Sequence, residues 1–268
     1  MKNVSLWVLA FLITIGAAVY QRMTGPTYPI KGELKLGSQF ISYKLPRSHS
    51  SFSPLRVNLD IQDKEVTGEL SYRRFPVDKE WTHQRMQWTD QGLASSIPNQ
   101  PPAGKVQYYL TLTKGSRSVQ IGIEDPIILR FKGDVPPAIL IGHVLFMFMA
   151  MFFSNLTGLK AITKDATAKK YAWFTFICLT IGGMILGMIV QKYAFGELWT
   201  GVPFGWDLTD NKTLLAFISW AIAIGVNTKK DARWLYVAAA GILLLVYMIP
   251  HSFLGSELDY NTMNIESR

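Results

Sequence analysis

The sequence predicts a membrane protein with five transmembrane helices and an extracytoplasmic all-β domain, of immunoglobulin-like type, inserted between the first and second helices. Composition gives the first indication: 49% of the 268 residues are hydrophobic and only 17% are charged, which is too apolar for an ordinary soluble domain. The residue pattern gives the second. Five apolar runs approach the roughly 20 residues that cross a bilayer as a helix, whereas residues 21–135 alternate between apolar and polar side chains.

The first apolar run, Val4 to Tyr20, follows the basic start Met1-Lys2. A secretory signal peptide begins in the same way, but the exit sequence Tyr20-Gln21-Arg22-Met23 offers no small-x-small cleavage site. We therefore predict a retained signal-anchor helix over residues 1–20, with a removed signal peptide as the alternative.

Residues 21–135 show the period-2 pattern of half-buried strands, separated by turn-prone residues such as Lys114-Gly115-Ser116. About seven short strands over about 110 residues predict an antiparallel sandwich. The predicted strands lie at residues 34–36, 40–45, 57–61, 70–72, 106–112, 119–123 and 127–131.

One connection in this domain, Arg73 to Gly104, is longer than a hairpin needs, and loops of this length are often functional or mobile. Its tryptophans and a basic pair are typical of a docking surface. The residues that we predict to bind a partner are Arg73, Arg74, Trp81 and Trp88. A copper-type pair formed by His83 and Met86 is the weaker interpretation, because two ligands do not make a metal site.

Four further apolar runs predict a transmembrane region over residues 136–254. The second of these four contains Gly183 and Gly187, which would allow a close helix contact. The third is only 14 residues long and would need a turn from the preceding loop. The runs cover residues 136–153, 171–191, 213–226 and 234–249, the last extended to 254, and an external tail of residues 255–268 follows.

The Lys and Arg residues of the short connections predict the orientation, because basic residues that flank spans stay in the cytoplasm. One side of the predicted topology collects Lys2, Lys160, Lys164, Lys169, Lys170, Lys229, Lys230 and Arg233, and the other Lys192, Lys212 and Arg268. We therefore expect a protein of the bacterial cytoplasmic membrane with a cytoplasmic N-terminus. Residues 21–135, the segment 192–212 and the C-terminal tail would lie outside.

The segment 192–212 is the most unusual part of the chain. It combines aromatic residues, glycines and three acidic residues just before the short run at residues 213–226. We expect Trp199 and Trp206 to lie at the depth of the lipid headgroups. Asp207 or Asp210 would cap the following helix, where a carboxylate meets free N–H groups and the positive end of the helix dipole.

Two of the four histidines fall in predicted spans. His143 follows Pro136-Pro137 by about two helical turns, roughly 10 Å below the external surface. His251 ends the fifth span on the same side. Polar groups at membrane depth are costly, so both histidines are candidates for a functional role.

This arrangement resembles the tryptophan-rich haem-handling membrane proteins of cytochrome c assembly, in which histidines of neighbouring helices flank an external loop that ends in Trp-Asp. The matching loop positions are Gly196, Trp199, Gly205, Trp206 and Asp207. The resemblance implies haem b as a cofactor and His143 and His251 as its ligands. It further implies a haem platform formed by Trp199, Trp206 and Asp207.

No motif in the sequence indicates catalysis, since a GxSxG elbow, a phosphate-binding glycine loop, an HExxH motif and a dinucleotide fingerprint are all lacking. The single cysteine, Cys178, lies in an apolar run and excludes an intrachain disulfide or a CxxC metal site. The net charge of +8 is not gathered with aromatic residues on a polar domain, as nucleic-acid binding would require.

We therefore predict a non-enzymatic interaction or assembly protein. It would dock a membrane or respiratory complex through its external domain and the segment 192–212. Haem binding or redox chemistry at His143 and His251 is the alternative.

Overall fold

The computed structural model describes residues 2–37, 39–250, 255 and 257–266, and the chain divides into two units. Thr27–Asp134 and Glu257–Glu266 form the first, which we call the β unit. The helices that precede and follow Thr27–Asp134 form the second, which we call the helical unit. Each unit has its own hydrophobic core.

The helical unit contains three stretches that are long and apolar enough to cross a membrane, namely Val4–Thr24, Pro137–Ile162 and Ala168–Phe195. A further apolar helix, Trp234–Met248, is shorter. The described helices are α1 (Lys2–Thr24), α2 (Pro137–Ile162), α3 (Ala168–Leu179), α4 (Gly187–Phe195), α5 (Leu208–Lys229) and α6 (Trp234–Met248), and a π-helical segment, Thr180–Leu186, joins α3 to α4.

Helix α5 differs from the prediction, because it has 22 residues and starts at Leu208 instead of Thr213. Its first turn is polar, with Thr209, Asp210 and Asn211, so an apolar run does not reveal it. The predicted segment 192–212 therefore includes the start of a helix. Helix α5 is not among the three stretches that are long and apolar enough to cross a membrane.

Small residues allow the helices of this unit to pack closely. The core contains eight alanines around the fully buried Trp220, and a Cβ on Gly158 would lie 2.9 Å from the Cβ of Ala240. A buried polar contact joins α1 to α2, where the Asn155 side-chain amide donates to Thr14 Oγ1 over 3.0 Å.

The β unit is built from two larger sheets and two hairpins. Its strands are β1 (Ile30–Leu36), β2 (Gln39–Leu45), β3 (Ser48–Ser50), β4 (Leu55–Leu59), β5 (Thr67–Phe75), β6 (Thr82–Arg85), β7 (Gln87–Thr89), β8 (Gly92–Ile97), β9 (Lys105–Lys114), β10 (Arg117–Ile121), β11 (Ile127–Lys132), β12 (Glu257–Leu258) and β13 (Ile265–Glu266). The six-stranded sheet has the order β3-β11-β9-β5-β6 with β10 also paired to β9, and the three-stranded sheet has the order β4-β8-β7. The pairs β1-β2 and β12-β13 form the hairpins.

Both larger sheets contribute to a single core. The longest pairing joins β5 to β9 in antiparallel register, and Leu70 faces Leu110 across it with both side chains fully buried. Val57 and Leu93 add core residues from the three-stranded sheet. Each such side chain contributes roughly 1.5–3 kcal/mol on burial. One pairing, β11 with β3, is parallel, unlike the antiparallel sheets expected from the sequence.

The predicted long connection from Arg73 to Gly104 is wrong, because it contains strands β6, β7 and β8. Strand β8, with the sequence GLASSI, is buried on both faces and therefore shows no alternation of apolar and polar residues. Strand β6 is exposed along its whole length, so its residues are polar throughout. A period-2 pattern appears only where one face of a strand is buried.

The segment 257–266, predicted only as an external tail, forms a hairpin on the β unit. The Leu258 N–H donates to the Ala103 carbonyl over 3.3 Å, and the Tyr260 hydroxyl donates to the Lys105 carbonyl over 3.0 Å. Glu257 forms an ion pair with Lys105. Burial raises the pKa of Tyr260 to about 12. The end of the described chain is therefore part of the β unit.

Candidate functional site

The connection between α4 and α5, residues 196–207, forms what we call the aromatic loop. Helix α4 ends before Gly196, which adopts a left-handed conformation with φ of 93° and donates its N–H to the Lys192 carbonyl over 3.0 Å. Glycine adopts this conformation without the steric cost that a Cβ would bring.

A buried carboxylate holds the aromatic loop in place. Asp210, which is 5% exposed, accepts the Thr200 N–H over 2.6 Å and the Thr200 hydroxyl over 3.1 Å. The Gln191 side-chain amide, from α4, donates to the same carboxylate oxygen over 3.0 Å and to Thr200 Oγ1 over 2.8 Å. Burial raises the cost of any unpaired group here, so these bonds fix the path of the loop.

A second set of contacts fixes the tip of the loop. The Val202 N–H donates to Asn211 Oδ1 over 2.7 Å, and the Trp199 indole N–H donates to the Val202 carbonyl over 3.1 Å. Gly201 lies against α5, because an added Cβ would be 2.7 Å from both Asn211 Oδ1 and Asp210 Cβ. Only glycine allows the loop to approach the helix this closely.

Asp207 and Asp210 are the two predicted caps of α5, and in the structure Asp207 caps the helix. Its carboxylate accepts the N–H groups of Thr209, over 2.8 Å, and of Asp210, over 3.2 Å. Lys212, also buried, donates to the Ile249 carbonyl just beyond the end of α6, over 2.6 Å. A cation is favourable at this end of a helix, where carbonyl groups lack partners within the helix.

Two aromatic side chains of the loop are largely exposed. Phe204 is 83% exposed and Trp206 is 75% exposed. The loop therefore presents large apolar side chains on a fixed backbone.

His143, on α2, contacts the π-helical segment. Its Nδ1 lies 2.9 Å from the Gly182 carbonyl oxygen, which also accepts the Gly187 N–H. A carbonyl only accepts hydrogen bonds, so Nδ1 carries the proton and Nε2 carries the lone pair. The other predicted haem ligand, His251, lies outside the described residues.

The predicted partner residues of the β unit mostly contact one another or their neighbours. The Arg73 guanidinium lies 4.4 Å from the centre of the Trp81 ring and donates to Gln107 Oε1 over 3.0 Å. Arg74 forms a double hydrogen bond with Asp78, and the same carboxylate raises the pKa of Arg74. Trp88 is 37% exposed and is more exposed than Trp81.

The structure separates the proposed copper pair. Met86 is buried in the core beside Gly68, whereas the side chain of His83 is 51% exposed and bonds Glu69 over 2.9 Å. Within the described part of the chain, no group of three or more His, Cys, Asp or Glu side chains is arranged to hold a metal ion.

Sequence reasoning missed the residues that support the loop. The sequence predicts Asp210 as a helix cap but does not predict its hydrogen bonds with Thr200 and Gln191, or the bond from Val202 to Asn211. A polar side chain at the end of an apolar run, such as Gln191, is the one signal that pointed towards this network.

No protein-family model, curated protein or solved structure matches this chain.

Proposed function

We propose that this chain is a five-span membrane protein that docks a larger membrane complex through the aromatic loop and the β unit. The observation that carries the proposal is the exposure of Phe204 and Trp206 on a loop that Asp210 and Asn211 hold in place. Rigid, exposed aromatic side chains are typical of the residues that dominate binding energy at protein interfaces.

The connectivity supports the five-span topology. Strands β11 and β12 belong to the same β unit, and four helical stretches lie between them: α2, the continuous stretch Ala168–Phe195, α5 and α6. A chain that leaves a folded unit and returns to it on the same side of a membrane crosses an even number of times. Crossings by the two long stretches alone would also be even, and we propose that α5 and α6 cross as well, which with α1 makes five spans.

We further propose that the β unit is an immunoglobulin-like sandwich located outside the bacterial cytoplasmic membrane. Two sheets that share one core support the sandwich. The excess of basic residues in the 155–170 and 227–233 segments supports a cytoplasmic location for these segments. On the β unit, Trp88 and the Trp81 ring stacked with Arg73 form the second proposed contact with the partner.

Co-purification in a mild detergent tests the docking proposal. We expect the wild-type protein to retain a partner complex, and we expect Phe204→Ala with Trp206→Ala to reduce the retained partner at least tenfold. Truncation of one interface hot spot costs about 2 kcal/mol or more, which is roughly thirty-fold in affinity.

Trp234→Ala is the matched control, because Trp234 is 69% exposed but lies at the start of α6 and not in the aromatic loop. It should leave the partner bound. A wild-type protein that is monodisperse and retains no partner would refute the docking proposal, as would an equal loss in the control.

Haem binding at His143 is the second candidate function, and one observation favours it. Ligand histidines usually donate one ring N–H to a carbonyl or carboxylate and bind the metal through the other nitrogen, and the Nδ1–H of His143 donates to Gly182. Turns of π-helix also occur often at functional sites. His143 would hold haem through its Nε2, and haem would supply electron-transfer chemistry.

The absorption spectrum of the purified protein tests this candidate. We expect a Soret band in the wild-type protein that is lost in His143→Ala and kept in His83→Ala, since His83 lies on the β unit. A wild-type protein that shows no spectral change on reconstitution with haem would eliminate the candidate.

A further inference from the structure

A cleft opens in the helical unit between the loop that joins α2 to α3 and the loop that joins α5 to α6. Its volume is about 310 Å³, and residues of both loops and of the adjoining helix ends line it, among them Asp165, Lys169, Asp231, Arg233 and Tyr236. Arg233 connects the loops, because its guanidinium donates to the Lys164 carbonyl and pairs with Asp231 over 2.8 Å.

The charge of this cleft is unbalanced. Lys169, Lys229 and Lys230 line it and are exposed, and no carboxylate of a described residue lies within 4.0 Å of their ammonium groups. The cleft also contains two carboxylates, but both have partners. Asp231 pairs with Arg233, and Asp165 pairs with the buried Lys160 over 2.6 Å. Hydrogen bonds from Lys160 and Thr167 lower the pKa of Asp165 to about 2, so this carboxylate stays ionised and paired.

A hydroxyl group adds a donor at the same place. Tyr236 lines the cleft, and its hydroxyl can donate a hydrogen bond to an acceptor bound there.

We propose that this cleft binds a phosphate group, and that an anionic phospholipid headgroup is its source. Three ammonium groups and a hydroxyl donor match the charge and the several acceptor oxygens of a phosphate. The cleft lies where α2 and α5 end and α3 and α6 begin, which is headgroup depth for helices that cross a membrane. Basic pockets between membrane helices bind anionic headgroups by the same physics.

The general excess of positive charge at cytoplasmic loops would also attract anionic lipid. The test must therefore distinguish binding in the cleft from diffuse attraction to the surrounding positive surface. Lys229→Gln with Lys230→Gln removes two lysines that line the cleft. Lys164→Gln with Lys170→Gln removes the same charge from residues of the neighbouring loop and helix that do not line it. Both pairs consist of exposed side chains, so folding should be preserved.

Calorimetric titration of the full-length protein in a neutral detergent compares three probes: short-chain phosphatidylglycerol, short-chain phosphatidylcholine and inorganic phosphate. We expect phosphatidylglycerol to bind most tightly. Because each basic residue near an anionic surface contributes about 1 kcal/mol, the Lys229/Lys230 variant should bind it at least tenfold more weakly. The Lys164/Lys170 variant should change binding less than twofold, and Tyr236→Phe should weaken it about threefold, as expected for one hydrogen bond.

Binding of phosphatidylglycerol without inorganic phosphate supports a lipid headgroup as the source, and equal binding of both supports a soluble phosphate compound. Equal losses in the two double variants would overturn the proposal in favour of a diffuse surface charge. Absence of binding by both phosphatidylglycerol and inorganic phosphate would also overturn it.

Discussion

We expect Gly92→Ala to destabilise the β unit by more than about 3 kcal/mol, one of the largest effects of a single methyl group. Gly92 starts β8 with φ of 99°, a conformation that residues with a Cβ rarely adopt. The added Cβ would lie 2.2 Å from the Leu59 carbonyl oxygen and 2.7 Å from the Ile61 nitrogen. Both atoms belong to the backbone, so relief would require β4 to move away from β8.

Unfolding of the purified protein by denaturant, followed by tryptophan fluorescence, measures this effect. Gly115→Ala is the matched control, because Gly115 also has a positive φ, 57°, but no atom lies within 4 Å of the added Cβ. Its cost should be limited to the left-handed backbone, about 1–2 kcal/mol. Equal effects of the two substitutions would show that β4 and β8 do not pack as described.

The second large effect is expected for Asp210→Ala, at about 3 kcal/mol of local stability in the aromatic loop. This substitution removes the acceptor of the Thr200 N–H and of the Thr200 hydroxyl and one of the two acceptors of the Gln191 amide, and each unpaired buried donor costs about 1–3 kcal/mol. Asp210→Asn retains one side-chain oxygen and should cost less. Hydrogen exchange of residues 198–205 should therefore rise most in Asp210→Ala.

Glu197→Ala is the control for this prediction, because Glu197 is an exposed carboxylate of the same loop. It should leave the exchange of the loop unchanged. Unchanged exchange in Asp210→Ala would contradict the assigned role of the carboxylate. Asp210→Ala also tests whether docking depends on the fixed path of the loop. Phe204 and Trp206 are intact in this variant, but partner binding should still fall, because the loop no longer holds them in place.

Several strands of the β unit can be predicted from the sequence, because one face of each is buried and apolar and polar residues therefore alternate along it. The alternation along β9 and β11 predicted strands at these positions, and both are present. The segment 73–104 was misassigned for two opposite reasons. Strand β8 is buried on both faces and β6 on neither, so neither shows a period of two.

In the aromatic loop, too, the sequence indicates some features and not others. Its aromatic residues and the cap of α5 are local features, and the sequence indicated them. The Asp210 network is not local, because its donors Thr200 and Gln191 lie 10 and 19 residues away along the chain. Only the packing of α4 against the start of α5 brings these groups together.

The docking proposal depends most on the claim that the β unit, the segment 257–266 and the aromatic loop face the same side of the membrane. Labelling of single cysteines by a membrane-impermeant maleimide, in intact cells and in a Cys178→Ser background, tests it directly. Reporter positions in these three regions are Ser116→Cys, Asn261→Cys and Phe204→Cys, all exposed, and Ala166→Cys reports on the loop between α2 and α3. We predict that the first three react from outside and that Ala166→Cys reacts only after the cells are opened. Protection of Phe204→Cys together with reaction of Ser116→Cys and Asn261→Cys would contradict the proposed topology.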